Sequence, residues 1–513
     1  MKNKFLLSIS MFLLATFEVF AGDITIGTEG SSEGYIEVSG TWTKGSTITV
    51  YDHMVIPTGQ TLTIEEGVNV LIADTSLKIE LICLGNLYCK GTEANPINIT
   101  VKPDLIPATV STTNPFPGLW GSIICDTTCN EFLMLHTNVK YYGAATTNTS
   151  PSVLLQLYKN AAGQTEPYIN YRDHNGGKLV IEYCTFSNGM DDGIYIEGGN
   201  VIYAYNTLYQ NGFTGGDATN FKAGSVADCG FNLYYSPNTN AFKLSNSGSR
   251  SPQASIVVYN NTIVNAGWRR PTVKGGSIWY EAGVIGQSYN NLFINNRFGI
   301  KSDGAADAAS TADYNYYYGY WLNVVTNFTS AKGLFANGAH DIIGASAGDK
   351  DPKFTNYPLS TDTMNSKYDP SWDFRLNAKT SPAVGAGTIS FTRHFGTSGL
   401  TINGVTYTSP DPSTTIGAFP VDPSTDIKIV NTDLQAEFYP NPAHSTLNIH
   451  LNIASNNTNI IITSITGTVV KEQKINSIGI NDFAVTIENL SNGLYFITIQ
   501  TDNTSETTSF VKQ

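Results

Sequence analysis

The chain has 513 residues, a formal net charge of −13 and only 14% charged residues. A chain of this length has room for more than one domain. The acidic balance argues against a general nucleic-acid binder, because phosphate backbones attract positive protein surfaces. The 28 tyrosines and 47 glycines suit strands and turns better than helices, which favour Ala, Leu, Glu and Lys.

Residues 1–21 are predicted to be a secretory signal peptide. Two lysines precede a mostly apolar stretch that ends at Phe20, and Ala21 is a small residue of the kind that signal peptidases read. The alternative, a membrane anchor, is disfavoured because the stretch is short and contains Glu18. No other stretch is long and apolar enough to cross a bilayer, so we expect a mature chain without a transmembrane segment.

Residues 179–318 contain a repeat of short apolar segments. Consecutive copies are 22 to 30 residues apart, and each carries a small polar residue, usually Asn, at one fixed position. The segments alternate apolar and polar residues and are rich in Val, Ile, Tyr and Phe, which predicts strands. A repeat of this length is typical of stacked supersecondary units. The fixed position is occupied by Cys184, Asn206, Asn232, Asn261, Asn291 and Asn315.

Stacking these strands predicts a parallel coil with an asparagine ladder. Neighbouring strands lie ~4.8 Å apart, so the amide side chains of successive turns hydrogen-bond to one another. The ladder would satisfy polar groups inside an apolar interior; the alternative is that these are turn residues of a β-sandwich. Cys184 is expected to be a buried free thiol. The other cysteines permit several disulfides, including Cys125 with Cys129 and Cys83 with Cys89.

The repeat resembles the rungs of the right-handed parallel β-helix, the pectate-lyase-like fold. Residues 56–67 are similar to the opening segment of secreted bacterial β-helices. We therefore expect an all-β solenoid over residues 22–420, with a cap over 22–60 and a closing cap after the repeat. Residues 144–177 lack the repeat pattern and are expected to form a loop that projects from one edge.

A second domain is predicted at the end of the chain. Residues 421–436 are polar and contain proline, which indicates a linker. Residues 437–513 alternate as the strands of a small antiparallel β-sandwich. This module resembles the C-terminal sorting domain of type IX secretion cargo; the alternative is a plain carbohydrate-binding sandwich. The resemblance rests on Tyr439, Pro440, Asn441 and Pro442 in one motif and on Gly493 and Tyr495 in another.

The resemblance to a sorting domain implies a route and a partner. The signal peptide would bring the chain to the periplasm, and the type IX secretion machinery would carry it across the outer membrane. We expect an extracellular or surface-bound protein.

Candidate ligand-binding residues fall on one edge of the predicted coil. Counted from their ladder residues, Asp191, Arg269 and Arg297 have offsets of seven, eight and six. The two arginines would lie on adjacent turns, with Asp191 ~14 Å away. That distance is too long for a proton-transfer pair but suits an extended anionic sugar chain read by guanidinium groups. The predicted ligand-binding residues are Asp191, Asp192, Trp268, Arg269, Arg270 and Arg297.

The alternative is that the same residues have only structural roles, in turns or in the interior. Asp-Gly and Arg-Pro are common in solvated turns. Trp268, Trp279 and Tyr280 would stack on sugar rings if they faced solvent, but aromatic residues in such a coil also pack inside.

No complete catalytic signature is present in the sequence, so we leave the catalytic and metal-binding residues open. A polygalacturonase-type site would need a Gly-His-Gly segment, which is missing, and no nucleophile elbow or phosphate loop occurs. A pectate-lyase-type site would need several oxygen ligands around calcium and a basic residue. We predict an exported polysaccharide-binding or adhesive protein, with a calcium-assisted lyase of acidic glycans as the alternative. The candidates for the lyase are Asp191, Asp192 and Asp217 as carboxylates and Arg269, Arg270, Lys274 and Arg297 as basic residues.

Overall fold

The chain divides into two compact units, with the boundary after Val421. The coordinates come from a computed structural model. The residues it describes are 22–32, 34–111, 113–157, 161–172, 176–270, 275–303, 306–329, 335–360, 367–419, 421, 436–501 and 505–513. The predicted signal peptide therefore lies outside the described residues.

The first unit is a parallel β-solenoid of about 12 turns. Each full turn contributes one strand to each of three sheets, and every internal strand of a sheet pairs in parallel with the strands one turn before and after it. This arrangement confirms the all-β, parallel β-helix fold that the repeat predicted.

Three parallel sheets form the walls of the solenoid. The first sheet contains Ile24–Ile26, Thr47–Val50, Asn69–Ile72, Ile97–Val101, Thr137–Lys140, Thr185–Gly189, Thr207–Asn211, Leu233–Tyr235, Thr262–Val264, Leu292–Ile294, Tyr316–Tyr318 and Ile342–Ile343. The second contains Ile36–Glu37, Met54–Ile56, Leu81–Cys83, Ile123–Cys125, Ile169–Arg172, Ile194–Glu197, Thr219–Phe221, Phe242–Ser245, Ile278–Glu281 and Ile300–Ser302. The third contains Gly40–Trp42, Thr61–Glu65, Asn86–Lys90, Glu131–Leu135, Lys178–Glu182, Gly199–Ala204, Ser225–Gly230, Ser255–Tyr259, Ile285–Tyr289 and Thr311–Asp313.

The interior of the solenoid is a continuous apolar core. Side chains alternate across each strand, so Val201 and Tyr203 point inward from the same strand and are fully buried. All six cysteines are buried and free, which confirms the expectation for Cys184. Cys83 and Cys125 are register partners on neighbouring strands of the second sheet.

The asparagine ladder lies at the corner between the third and first sheets. The Nδ2 of Asn206 donates to the Oδ1 of Asn232 at 3.0 Å, and Asn232 donates to Asn261 at 2.9 Å. Asn261 donates to Asn291 at 2.9 Å, and Asn291 donates to Asn315 at 3.0 Å. The backbone amide of each residue also donates to the next side chain, as Asn232 does to Asn261 at 2.9 Å. The ladder prediction is therefore confirmed.

Two stretches differ from their predictions. Residues 22–60 contain regular strands of all three sheets, so the solenoid begins at Ile24. Residues 144–177 include the short helix Pro151–Leu154 and a full strand of the second sheet, Ile169–Arg172. Leu157, from the same stretch, packs on the outer face of that sheet, where its neighbours are Val55, Ile82 and Ile124. The stretch is thus partly a rung of the coil. The sequence analysis missed its strand because four residues in a polar context are too short a pattern to recognise.

The residues after the repeat cover the solenoid. The helix Leu322–Thr329 places Val324 and Phe328 in the main core at its C-terminal end. The hairpin Phe354–Asn356 and Asp373–Leu376 packs on the outer face of the first sheet. Short 3₁₀ helices occur at Pro103–Leu105 and Ala108–Ser111.

Residues 388–419, which we call the strap, run back along the third sheet. Leu400 and Ile402, in a hairpin formed by Leu400–Ile402 and Val405–Tyr407, pack on Leu133 and Val180. Before this hairpin, the strap amides of His394 and Phe395 donate hydrogen bonds to the carboxylate of Asp228, in the third sheet, at 3.0 and 2.8 Å.

The second unit is a small antiparallel β structure. Its strands pair in the order first, second, fourth, fifth, with the third strand paired to the second. Alternate residues form one shared core that includes Ile449, Ile462, Val485 and Ile497. The strands are Ala436–Tyr439, Thr446–Ser464, Val469–Thr486, Gly493–Thr501 and Ser505–Lys512.

Candidate functional site

The predicted acidic residues lie in a tight turn between the first and second sheets. Asp191 is buried, and its carboxylate accepts hydrogen bonds from the Thr165 hydroxyl at 2.6 Å and the Asp192 amide at 2.9 Å. Asp192 accepts from the amides of Gly216 and Asp217, one turn further along, at 2.8 and 2.9 Å. Burial, with the nearby carboxylates of Asp217 and Asp191, raises the pKa of Asp192 to about 7. These carboxylates join adjacent turns of the solenoid.

Arg269 connects its own turn of the solenoid to the two preceding turns. Its guanidinium donates to the carbonyls of Asn211, Gly212 and Ser236 at 2.5, 2.6 and 2.9 Å. It also lies 4.7 Å from the ring centre of Phe116. Loss of hydration lowers the pKa of Arg269 to about 9. Much of its hydrogen-bonding capacity is therefore used within the protein.

The other predicted residues lie along the same edge. The Trp268 indole donates to the Asn295 carbonyl at 2.6 Å. Arg270 donates to the Thr214 carbonyl at 2.8 Å, and Arg297 donates to the Arg270 carbonyl at 3.4 Å. These residues occupy the turns that join the first sheet to the second, as the acidic pair does. Their role in ligand binding remains a prediction.

The described residues do not fit the calcium site of the lyase alternative. Among them, no group of three or more His, Cys, Asp or Glu side chains is placed to hold a metal ion. Calcium takes about six to eight oxygen ligands, whereas the candidate carboxylates accept hydrogen bonds from protein donors. Asp217, for example, accepts from the Thr239 hydroxyl at 2.5 Å and from the Nδ2 of Asn240 at 2.8 Å. Lys274 lies outside the described residues.

A row of charged and aromatic side chains follows the second sheet beside this edge. The Lys243 ammonium lies 5.2 Å from the ring centre of Trp279. The Lys222 ammonium lies 5.4 Å from the ring centre of Tyr195. The residues at one aligned position on successive strands are Tyr195, Asn220, Lys243, Trp279 and Lys301.

Cationic side chains outnumber carboxylates on the surface formed by this row and its neighbours. Lys222 and Lys243 share the carboxylate of Glu281, at 3.9 and 3.4 Å. Arg172 and Arg250 share the carboxylate of Glu197, at 3.3 and 3.1 Å. Burial, with the nearby ammonium of Lys243, lowers the pKa of Lys222. We call this surface the cationic face; its charged residues are Arg172, Lys222, Lys243, Arg250, Lys301, Glu197 and Glu281, and its aromatic residues are Tyr195 and Trp279.

The sequence contained a signal for this face that the repeat analysis missed. Short segments such as Phe242-Lys243-Leu244 and Ile278-Trp279-Tyr280 place one outward residue between two buried ones. Their alignment depends on the register between strands that are 36 residues apart. Turn lengths vary along the repeat, so this register could not be read from spacing alone.

Two motif residues of the second unit, Asn441 and Tyr495, contact its last strand. The Oδ1 of Asn441 accepts a hydrogen bond from the Val511 amide at 2.9 Å. The Tyr495 hydroxyl donates to the Ser491 carbonyl at 2.8 Å, and its ring stacks on Phe510 at 5.8 Å. Residues 437–513 match the secretion system C-terminal sorting domain. Comparison with the curated proteins and with the solved structures found no match for the chain.

The sorting domain and the solenoid together identify an exported protein. The type IX sorting tail directs it to the cell surface or the extracellular space, and the secretion system handles it as cargo. Among the described residues, no helix is long and apolar enough to span a membrane.

Proposed function

We propose that the exported solenoid binds anionic polysaccharides along the cationic face. The observation that supports this most directly is five cationic side chains beside the carboxylates of Glu197 and Glu281, with those of Asp192 and Asp217 also near Lys222, on a chain whose net charge is −13. An acidic protein repels anionic polymers overall, so attraction has to come from a local positive surface. The face follows the solenoid axis, which suits an extended polymer.

The side chains on this face match the two parts of an acidic sugar. Ammonium and guanidinium groups form charge-assisted hydrogen bonds to carboxylates or sulfates. Trp279 and Tyr195 offer aromatic surface between the charges, and aromatic rings pack well against apolar ring faces. Arg270 and Arg297, on the adjoining edge, would extend the same positive surface. Binding is the function that this geometry supports best.

The proposal is tested with the mature chain on an array of polygalacturonate, alginate and chondroitin sulfate. We expect binding that weakens as salt rises, because salt screens exposed charges. The double change Lys243→Ser with Lys301→Ser should lower affinity about 2- to 30-fold, since each charge contact of a partly exposed side chain is worth ~0.2–1 kcal/mol.

The matched control is Lys44→Ser with Lys379→Ser, which removes the same charge from exposed positions outside the cationic face. Equal loss of affinity in the two double variants would refute the proposal. Preference for neutral polysaccharides over all three acidic ones would refute it as well.

A further inference from the structure

A column of stacked aromatic rings lies at the corner between the third and first sheets. His136, Tyr183, Tyr205 and Phe231 each immediately precede the inward-facing residue at that corner, and all four have φ between 41° and 59°. This left-handed conformation turns one side chain outward while the next points inward. Neighbouring ring centres are 4.7, 4.6 and 5.3 Å apart, with interplanar angles of 3°, 7° and 22°. The rings therefore stack at the spacing of the strands.

The column is open over only part of its length. Tyr183 is 47% exposed, whereas Phe231 is 5% exposed. Beyond Phe231 the strap covers the corner, with Phe391 packed against Tyr259 at 5.4 Å. At the other end the column stops, because the residue one turn below His136 is Gly91. A Cβ there would lie 2.4 Å from the His136 carbonyl.

An open groove of about 540 Å³ runs beside the exposed rings. This volume is within the range of sites that bind small organic ligands, ~300–1,000 Å³. Thr185 and Thr207, on adjacent strands of the first sheet, form one side. The lining residues are Glu93, His136, Tyr183, Cys184, Thr185, Tyr205 and Thr207.

The lining groups suit a neutral ligand rich in hydroxyl groups. Tyrosine and threonine hydroxyls both donate and accept hydrogen bonds, and a carboxylate accepts them. Among the described residues, those that line the groove include no lysine or arginine, and Glu93 is the carboxylate among them. Burial lowers the pKa of His136, which keeps the imidazole neutral near pH 7. The negative charge of Glu93 disfavours uronic acids and sulfated sugars.

We propose that this groove binds a short neutral oligosaccharide that lies along the solenoid axis. The ring faces are stacked on one another, so the ligand contacts ring edges and hydroxyl groups. Stacked turns repeat these groups at each strand spacing, ~4.8 Å, which gives successive sugar units similar partners. The groove is on the corner away from the second sheet, so this site is separate from the cationic face.

Titration calorimetry of the mature chain with cellohexaose, xylohexaose and mannohexaose tests the site. At least one of the three should bind, and the double change Tyr183→Ser with Tyr205→Ser should weaken that binding more than tenfold. Thr185→Lys should also weaken it, because the long side chain fills the groove without removing a ring. This second variant keeps the test decisive if loss of the stack lowers stability.

The matched control is Tyr314→Ser. Tyr314 has the same left-handed conformation before Asn315 and stacks on His340 at 4.4 Å, but it lies outside the groove. Binding should survive this change and also the Lys243→Ser, Lys301→Ser pair, which separates the result from the fate of the cationic face. Absence of binding by all three sugars overturns the proposal. Undiminished binding in the Thr185→Lys variant, or equal loss in Tyr314→Ser, overturns it too.

Discussion

Replacing Asn261 with leucine should destabilise the solenoid strongly. Its Nδ2 donates to the Cys229 carbonyl at 3.1 Å, and its Oδ1 accepts from the backbone amide of Asn232 at 2.9 Å. Leucine removes both contacts and leaves two buried backbone groups without these partners. Each unsatisfied buried group costs about 1–3 kcal/mol. The change should therefore lower the free energy of unfolding by roughly 2–6 kcal/mol.

Thermal and urea melts followed by circular dichroism measure this effect. Asn148→Leu is the control, because Asn148 is exposed in the stretch between the first and second sheets. Exposed substitutions usually change stability by less than about 0.5 kcal/mol. Asn261→Leu should therefore melt at a clearly lower temperature than Asn148→Leu. Identical melting temperatures for the two variants would show that the ladder contributes no net stability.

Three other outcomes follow from the structure. Removal of residues 437–513 should leave a folded solenoid in the periplasm, because the two units have separate cores; surface protease accessibility would detect normal delivery, which would contradict this. Arg269→Ser should lower the melting temperature more than Arg270→Ser, since Arg269 holds three backbone carbonyls and Arg270 holds one; equal melting temperatures would argue against this connection. Burial raises the pKa of Glu182 from 4.5 to about 7, so the folded state should lose stability as pH rises between those values. Glu182→Gln should reduce this loss in melts at pH 5 and 8, and an unchanged pH dependence would refute the assignment.

The features that could be predicted from the sequence are those that recur at the same position in successive turns of the solenoid. Asn206, Asn232 and Asn261 could be aligned because each is surrounded by a strand-like segment, and stacking then dictated the ladder. The edge shared by Asp191 and Arg269 followed from the same count. These predictions used offsets within a turn, which the chain preserves.

Features that depend on contacts between distant segments could not be predicted in the same way. Arg269 was expected to face a ligand, but its contacts with Asn211 and Gly212 depend on how two turns close together. The cationic face required the exact pairing of strands. The aromatic column was visible in Tyr183 and Tyr205, each directly before an aligned residue, but its open portion depends on where the strap ends.

The strap adds contacts between distant parts of the chain to the folding of the solenoid. In a simple solenoid each repeat contacts only its neighbours, so folding can spread from any point along the chain. Here Lys178 donates to the Thr401 carbonyl at 2.7 Å, and the Glu131 carboxylate accepts from the Asn403 amide at 3.0 Å, across more than 220 residues of sequence. Contacts of such high contact order form slowly. The third sheet therefore reaches its final state only after nearly the whole solenoid has been synthesised.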